Sequence, residues 1–396
     1  MSMNKTTMAE QALDRTARLI DATGPRLAGT SASLQCADLL HQELETFADT
    51  ATKEHFTLHK GAFLGWIRIL VALYLLGVVA LWFSLPLLTA IMILVGLLIL
   101  VGQFFLYLPV IDKLYPKKTG CNVIGTIEPN DVVRQQIIVS GHHDSARVFH
   151  FFLYQPALYN LRVTGGIALI VAAFLVALVQ LFTSWPTFDL VSTIVLSVGF
   201  LLTGQMWFFA SKQGTPGAGD NLIASSMAME IGRHFQQHPL KHTRIVVASF
   251  DAEEEGLRGA RAYAKAHAAE FESLPTTLLN VDCPYHLDDL FFLTSDINGS
   301  VALSTELAED LVAIAKAKGY DANHQPIAFL TGGTDAGELA KKGVKATTLI
   351  GMPWSNNSRS SVYHTPNDTV DKIEPAIVEA TLDIFTTYIT TSDQTI

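Results

Sequence analysis

Two stretches of this chain carry almost no charge, and the rest alternates short apolar runs with amphipathic segments. No charged residue occurs from Ile69 to Ile111, and the run is interrupted only near Ser84-Leu85-Pro86. A helix that crosses a bilayer core needs about 20 apolar residues, so this run predicts two spans, 64–84 and 87–109. Val163–Ser211 is a second such block. Its midpoint, Thr183-Ser184-Trp185-Pro186-Thr187-Phe188-Asp189, joins turn residues, an interfacial tryptophan and the block's only charge. Spans are therefore expected at 163–183 and 190–210. Four such lengths in two hairpin pairs exceed what buried helices of a soluble core use. Met1–Lys60 is polar and of mixed charge, so no signal peptide is expected there.

The flanks predict an orientation. Lys60, Arg68, Lys113, Lys117, Lys118, Arg162 and Lys212 lie at the open ends of the two hairpins, and the closed ends carry no Lys or Arg. The positive-inside rule places the open ends in the cytoplasm. An integral, multi-pass protein of the cell (inner) membrane is expected, with its polar part cytoplasmic. Segments 1–62, 112–162 and 212–396 then share one face and can build one domain, interrupted by hairpins 63–111 and 163–211.

Outside the hairpins the pattern is that of strands alternating with helices. Strands are expected at Asn122–Ile127, Gln136–Ser140, Arg244–Phe250, Thr277–Val281 and Ala346–Ile350. Helices are expected at Met8–Leu19, Ser31–Phe47, Asn221–Gln237, Gly256–Ala269, Thr305–Lys318 and Pro375–Tyr388. This alternation predicts a three-layer α/β/α domain around a mostly parallel sheet. Ligands in such folds gather at the carboxyl ends of the strands.

Composition sharpens this picture. Charged residues make up 16% of the 396, against roughly 25% in an ordinary soluble domain, and the hairpins absorb the deficit. The net charge of −10 argues against a nucleic-acid partner, whose phosphates need a basic face. Cys36, Cys121 and Cys283 are odd in number and far apart, so neither a disulfide framework nor a Cys-x-x-Cys knuckle is expected.

Metal-capable residues follow the expected strands. Gly141-His142-His143-Asp144-Ser145 follows the second, Asp251-Ala252-Glu253-Glu254-Glu255-Gly256 the third and Asp282 the fourth. Gly217-Ala218-Gly219-Asp220-Asn221 opens a helix, and Tyr363-His364-Thr365-Pro366-Asn367-Asp368 lies near the C-terminus. Any one of these alone reads as a cap or a solvated loop residue. Five such motifs in order, three of them at strand ends, point to one site, and two histidines with three carboxylates form the mixed donor set that zinc accepts.

The order His-x-Asp, Gly-Ala-x-Asp-Asn, Glu-Glu-x-Gly-Leu, Asn-x-Asp and Tyr-His-Thr-x-x-Asp resembles the co-catalytic di-zinc exopeptidases of the aminopeptidase Y and bacterial leucyl aminopeptidase type. Glutamate carboxypeptidase II and the glutaminyl cyclases are relatives of that family. Thr331-Gly-Gly-Thr-Asp335-Ala-Gly also looks like the family's Ser/Thr-Asp turn. The resemblance implies two zinc ions per chain. His142, Asp220 and Asp282 would hold one, and Asp220, Glu254 and His364 the other. Asp144 would orient the His142 imidazole, Glu253 would act as general base, and Tyr363 would stabilise an oxyanion. The departure from soluble relatives is the second hairpin, which fills most of the 77 residues between His142 and Asp220.

The leading expectation is a membrane-anchored aminopeptidase acting on short peptides. The alternatives are an amidohydrolase of N-acyl or lipid-like amides fed from the bilayer, and a non-catalytic membrane scaffold. A transporter should carry polar groups within its spans, and these offer little beyond Gln103, Gln180 and Gln205. His143 is the alternative to His142 as a ligand, and Asp251 is not expected to be one.

Overall fold

The computed structural model describes residues 5–355, 359 and 361–396. The chain divides into two compact units. One comprises Met1–Lys60, Lys117–Val148 and Lys212–Ile396; the other comprises Gly61–Pro116 and Phe149–Ser211.

The described strands are β1 (Thr50–His59), β2 (Lys117–Ile127), β3 (Gln135–His142), β4 (Arg147–Phe149), β5 (Ala210–Gly214), β6 (Thr243–Phe250), β7 (Thr276–Pro284), β8 (Leu290–Asp296), β9 (Val301–Ala302), β10 (Asn323–Pro326) and β11 (Lys345–Gly351). Nine of them form one sheet in the order β1-β2-β6-β3-β7-β11-β8-β10, with β9 on β8; β4 and β5 pair separately. Strands β6, β3, β7 and β11 run parallel at its centre. β1 with β2, β2 with β6 and β11 with β8 are antiparallel.

The central strands are the ones with unbroken apolar runs, because helices cover both of their faces. Ile137, Ile138 and Val139, Ile245 to Val247, and Leu278 with Leu279 are all buried. Helix Ile223–Gln237 packs closely on β3. A Cβ on Gly141 would lie 2.3 Å from the Ala224 Cβ, so only glycine admits the helix at that spot. Six strands, β1, β4, β5, β8, β9 and β10, escape the sequence pattern. β1 is an edge strand whose Lys53-Glu54-His55 breaks the apolar alternation, and β8 is a short run, Leu290–Asp296, between turns. The expected helix 256–269 is two helices, Arg258–Ala266 and Ala268–Ser273, meeting at His267.

In the second unit the long helices are Ala62–Trp82, Pro86–Leu100, Tyr159–Phe182 and Pro186–Thr203. Two begin with proline, which fits a first helical turn because its missing N–H is not needed there. With their flanking turns, four helices among the described residues are long and apolar enough to cross a membrane: Ala62–Trp82, Pro86–Phe105, Pro156–Phe182 and Pro186–Phe208. Several polar groups inside this unit are bonded within it. The Tyr74 hydroxyl donates to the Leu196 carbonyl and the Thr89 hydroxyl to the Gly77 carbonyl. The second helix stops short of the expected residue 109. Its last turn, Val101–Phe105, is a π-helix, and the buried Gln103 accepts from the amides of Val110 and Ile111 and donates to Asp112. One polar side chain thus folds an apolar run back on itself.

Candidate metal centre

The parallel strands end together. In the β3–β6 register His142 lies opposite Phe250, so the turn carrying Glu253 and Glu254 opens beside the histidine. Asp282 comes from the end of β7, opposite Ile350 of β11. Asp220 lies in a turn with non-helical dihedrals just before helix Ile223–Gln237. His364 and Ala252 are both in the left-handed region, φ 53° and 62°, where non-glycine residues are uncommon.

These turns bring together two triads of metal-capable side chains among the described residues: His142, Asp220 and Asp282, and Asp220, Glu254 and His364. Within each triad one donor atom per residue lies within 4.8 Å of the others. Asp220 belongs to both. Its Oδ1 is 3.4 Å from His142 Nε2, and its Oδ2 is 3.1 Å from His364 Nε2. Glu254 Oε1 is 3.4 Å from His364 Nε2, and Glu253 Oε2 is 3.8 Å from His142 Nε2.

The surrounding bonds hold these atoms in place. Nδ1 of His142 faces the Asp144 main-chain carbonyl at 3.1 Å and its carboxylate at 3.3 Å, which leaves Nε2 towards the cluster. The same carboxylate accepts the amides of Glu253 and Glu254 at 3.1 and 3.2 Å. Asp144 therefore joins the β3 turn to the β6 turn. Asp368 does the same for two other turns. It lies four residues after His364 and accepts from the amides of Gly219 and Asp220. His143, the alternative ligand, turns away, with Nδ1 2.9 Å from the Ser249 hydroxyl. Asp251 accepts from the Ser33 hydroxyl and the Cys121 amide instead of joining the cluster.

Electrostatics mark the site as a place for a cation. Burial, then the charges of Glu254, Asp282 and Asp335, push Glu253 well above the usual carboxylate range. Glu254 is raised by burial and then by Asp220. Asp282 is pushed up to about 7 by burial, with Asp220 adding to it. Burial disfavours the charged His142 imidazole, but Glu253, Asp144 and Asp220 outweigh it and raise its pKa well above the ordinary value. Buried carboxylates in this number need more positive charge than two imidazoles supply. His142 Nε2 and Asp220 Oδ2 are also buried without a well-aligned hydrogen bond. The donor set and these two atoms fit a divalent metal.

Tyr363 is buried, its ring 4.0 Å from that of His364 and 6.2 Å from that of Trp354. The Arg359 guanidinium lies over the Tyr363 ring at 5.2 Å. Only Arg147 and Arg258 stand out from the sequence as cations near the ligand turns. Arg147 is 3.6 Å from Glu255, and Arg258 donates to the Gly256 carbonyl. Arg359, five residues before His364, is the cation sequence reasoning missed. Asp368 and Arg26 were missed as well. Asp368 was visible only as a motif letter, and Arg26 lies in a Gly-Pro loop with no pattern of its own.

Parallel strands ending at clustered imidazoles and carboxylates, inside an α/β/α sandwich, define a metallo-exopeptidase. Residues 198–389 match the sequence profile of peptidase family M28. Solved structures share the fold at low identity. A zinc aminopeptidase from Bacillus subtilis is 15% identical, with 97% of this chain and 95% of that one covered and a TM-score of 0.59. A Zn-dependent exopeptidase from Parabacteroides distasonis is 15% identical, with 96% and 97% covered and a TM-score of 0.58. Porphyromonas gingivalis glutaminyl cyclase is 14% identical, with 97% and 98% covered and a TM-score of 0.58. No curated protein matches the chain.

Proposed function

We propose that this protein is a membrane-anchored, zinc-dependent aminopeptidase that removes N-terminal residues from short peptides. The observation that carries the reading is Asp220, whose two carboxylate oxygens face different imidazoles. Two zinc ions per chain would share it, one held with His142 and Asp282 and the other with Glu254 and His364. Zinc, when bound, supplies Lewis acidity to the scissile carbonyl and to the attacking water. Glu253 belongs to neither triad, yet its carboxylate borders His142. As general base it takes a proton from the water and delivers it to the leaving amine. Asp144 orients the His142 ring and anchors the Glu253 turn. Tyr363 would donate its hydroxyl to the developing oxyanion. The peptidase domain would comprise 1–62, 112–162 and 212–396, with hairpins 63–111 and 163–211 anchoring it in the bilayer and the catalytic part in the cytoplasm.

A free α-amine is a cation at neutral pH, and the carboxylates of Glu253 and Asp282 attract it. Arg359 favours a second reading. A guanidinium over Tyr363 suits an anionic group on the substrate, such as the terminal carboxylate of a dipeptide. The test compares leucine anilide with its N-acetyl form, and a dipeptide with its C-terminal amide. Acetylation should cut turnover steeply. Equal or faster cleavage of the acetylated substrate would refute aminopeptidase action and point to an amidase. A strong preference for the free carboxylate would point to a dipeptidase.

A further inference from the structure

Arg26 is a fully buried arginine in the Gly24-Pro25-Arg26-Leu27 loop between helices Lys5–Thr23 and Ser31–Leu44. A buried cation ordinarily needs a carboxylate partner. This guanidinium instead spends its donors on main-chain carbonyls. Nε donates to His143 at 2.8 Å. Nη1 donates to Gly24 at 3.0 Å and to Pro216 at 2.9 Å. Nη2 donates to Gly217 at 2.8 Å. The main chain adds a second attachment. The Arg26 amide donates to the Ser145 hydroxyl at 2.7 Å, and the Ser145 amide donates to the Arg26 carbonyl at 3.1 Å. Gly217 must be glycine here, because a Cβ would lie 2.9 Å from Arg26 Nη2 and 2.6 Å from the Ser145 Cβ, and its φ is +63°.

The carbonyls that Arg26 holds belong to two ligand-bearing turns. His143 follows His142, and Pro216 and Gly217 lead to Asp220. Between these turns the chain runs out through the whole second hairpin before it returns. The base of that hairpin is closed by the pairing of β4 with β5 and by the Thr215 amide, which donates to the Ala146 carbonyl at 2.8 Å, but these bonds lie beyond the His143 and Gly217 carbonyls and do not join the two turns directly. We propose that Arg26 is a positioning residue that sets the distance between His142 and Asp220, by tying together the carbonyls of the two turns that the β4–β5 pair leaves unjoined. The fork geometry is the reason for arginine: one planar group reaches both turns at once, which a lysine ammonium cannot do. The inference rests on the reading of the cluster as a metal centre.

The test uses the full-length protein in detergent, with zinc affinity measured by competition against a chromophoric chelator. In Arg26→Lys zinc affinity should fall roughly 10–100-fold, as when a group supporting a metal ligand is lost. The kcat should fall with it while KM stays within about twofold, and the visible spectrum of the cobalt-substituted protein should change. Arg15→Lys is the control for general destabilisation. Arg15 is also buried, but it pairs with Glu43 and Glu230, outside both triads. It should melt at lower temperature with unchanged zinc affinity. Wild-type zinc affinity in Arg26→Lys, or an equal loss in both lysine variants, overturns the proposal. If Arg26→Lys does not fold, Ser145→Ala removes only the acceptor of the Arg26 amide. It should weaken zinc roughly 3–10-fold, and no change would overturn the proposal. Asp220→Ala separates the two levels of the argument, since a full complement of tight zinc in that variant would refute the metal centre itself.

Discussion

Replacing Asp144 by asparagine changes one buried oxygen into an amide nitrogen and leaves size almost unchanged. The carboxylate accepts two amides, from Glu253 and Glu254, and sits 3.3 Å from His142 Nδ1. Asparagine keeps one acceptor and turns a donor towards whatever the second oxygen served. One hydrogen bond to a charged acceptor is lost, about 1.5–3 kcal/mol. Asp144 itself is fully buried, so water does not readily replace the lost bond. At about 1.4 kcal/mol per factor of ten, the loss corresponds to roughly 10–100-fold if it falls on the ordered, metal-loaded arrangement. Asp144→Asn should therefore bind zinc roughly 10–100-fold more weakly. Its kcat should fall by a similar factor, and KM for leucine anilide should change little. Zinc competition and steady-state kinetics on the detergent-purified protein provide both numbers. Zinc affinity and kcat within about twofold of wild type would show that Asp144 joins the two turns without supporting the site.

Glu253→Gln should retain wild-type zinc content while losing roughly 10²–10⁴ in rate, whereas Glu254→Gln should lose metal; equal metal loss in both would merge the two roles. Cysteines introduced at Ser84 and Ser184 should be labelled by an impermeant reagent on intact cells; labelling only after the membrane is breached would reverse the orientation. His267 has a raised pKa, chiefly through its bond to Glu54 at 2.7 Å, with burial opposing. Its contribution to stability is complete below the unfolded value of about 6.5 and disappears as pH rises through the higher folded value. His267→Gln should thus melt below wild type at pH 6 and close to it at pH 9; a gap that is unchanged between the two would exclude this linkage.

The membrane-crossing lengths and the order of chemical motifs were legible in the sequence because each rests on local pattern. A run without charge must find an apolar environment wherever it lies, and an apolar strand that ends in His, Asp or Glu places that residue at the end of a strand. What the tertiary structure decided depends on groups distant in the chain. The separation of His142 from His143 is set by Ser249, whose hydroxyl lies 2.9 Å from Nδ1 of His143 and leaves the His142 ring to the cluster. The limit of the second apolar helix is set by Gln103, whose side chain meets amides seven and eight residues onward. β1 becomes a strand only because β2 pairs with it along its whole length; its own alternation is too broken to require one. Asp368, Arg359 and Arg26 are ordinary polar residues in sequence. They acquire roles because folding brings a turn, an aromatic ring or two carbonyl-lined loops within hydrogen-bonding or stacking range. Periodicity records which face of an element is apolar, whereas a buried charge finds its partners through contacts that no local pattern encodes.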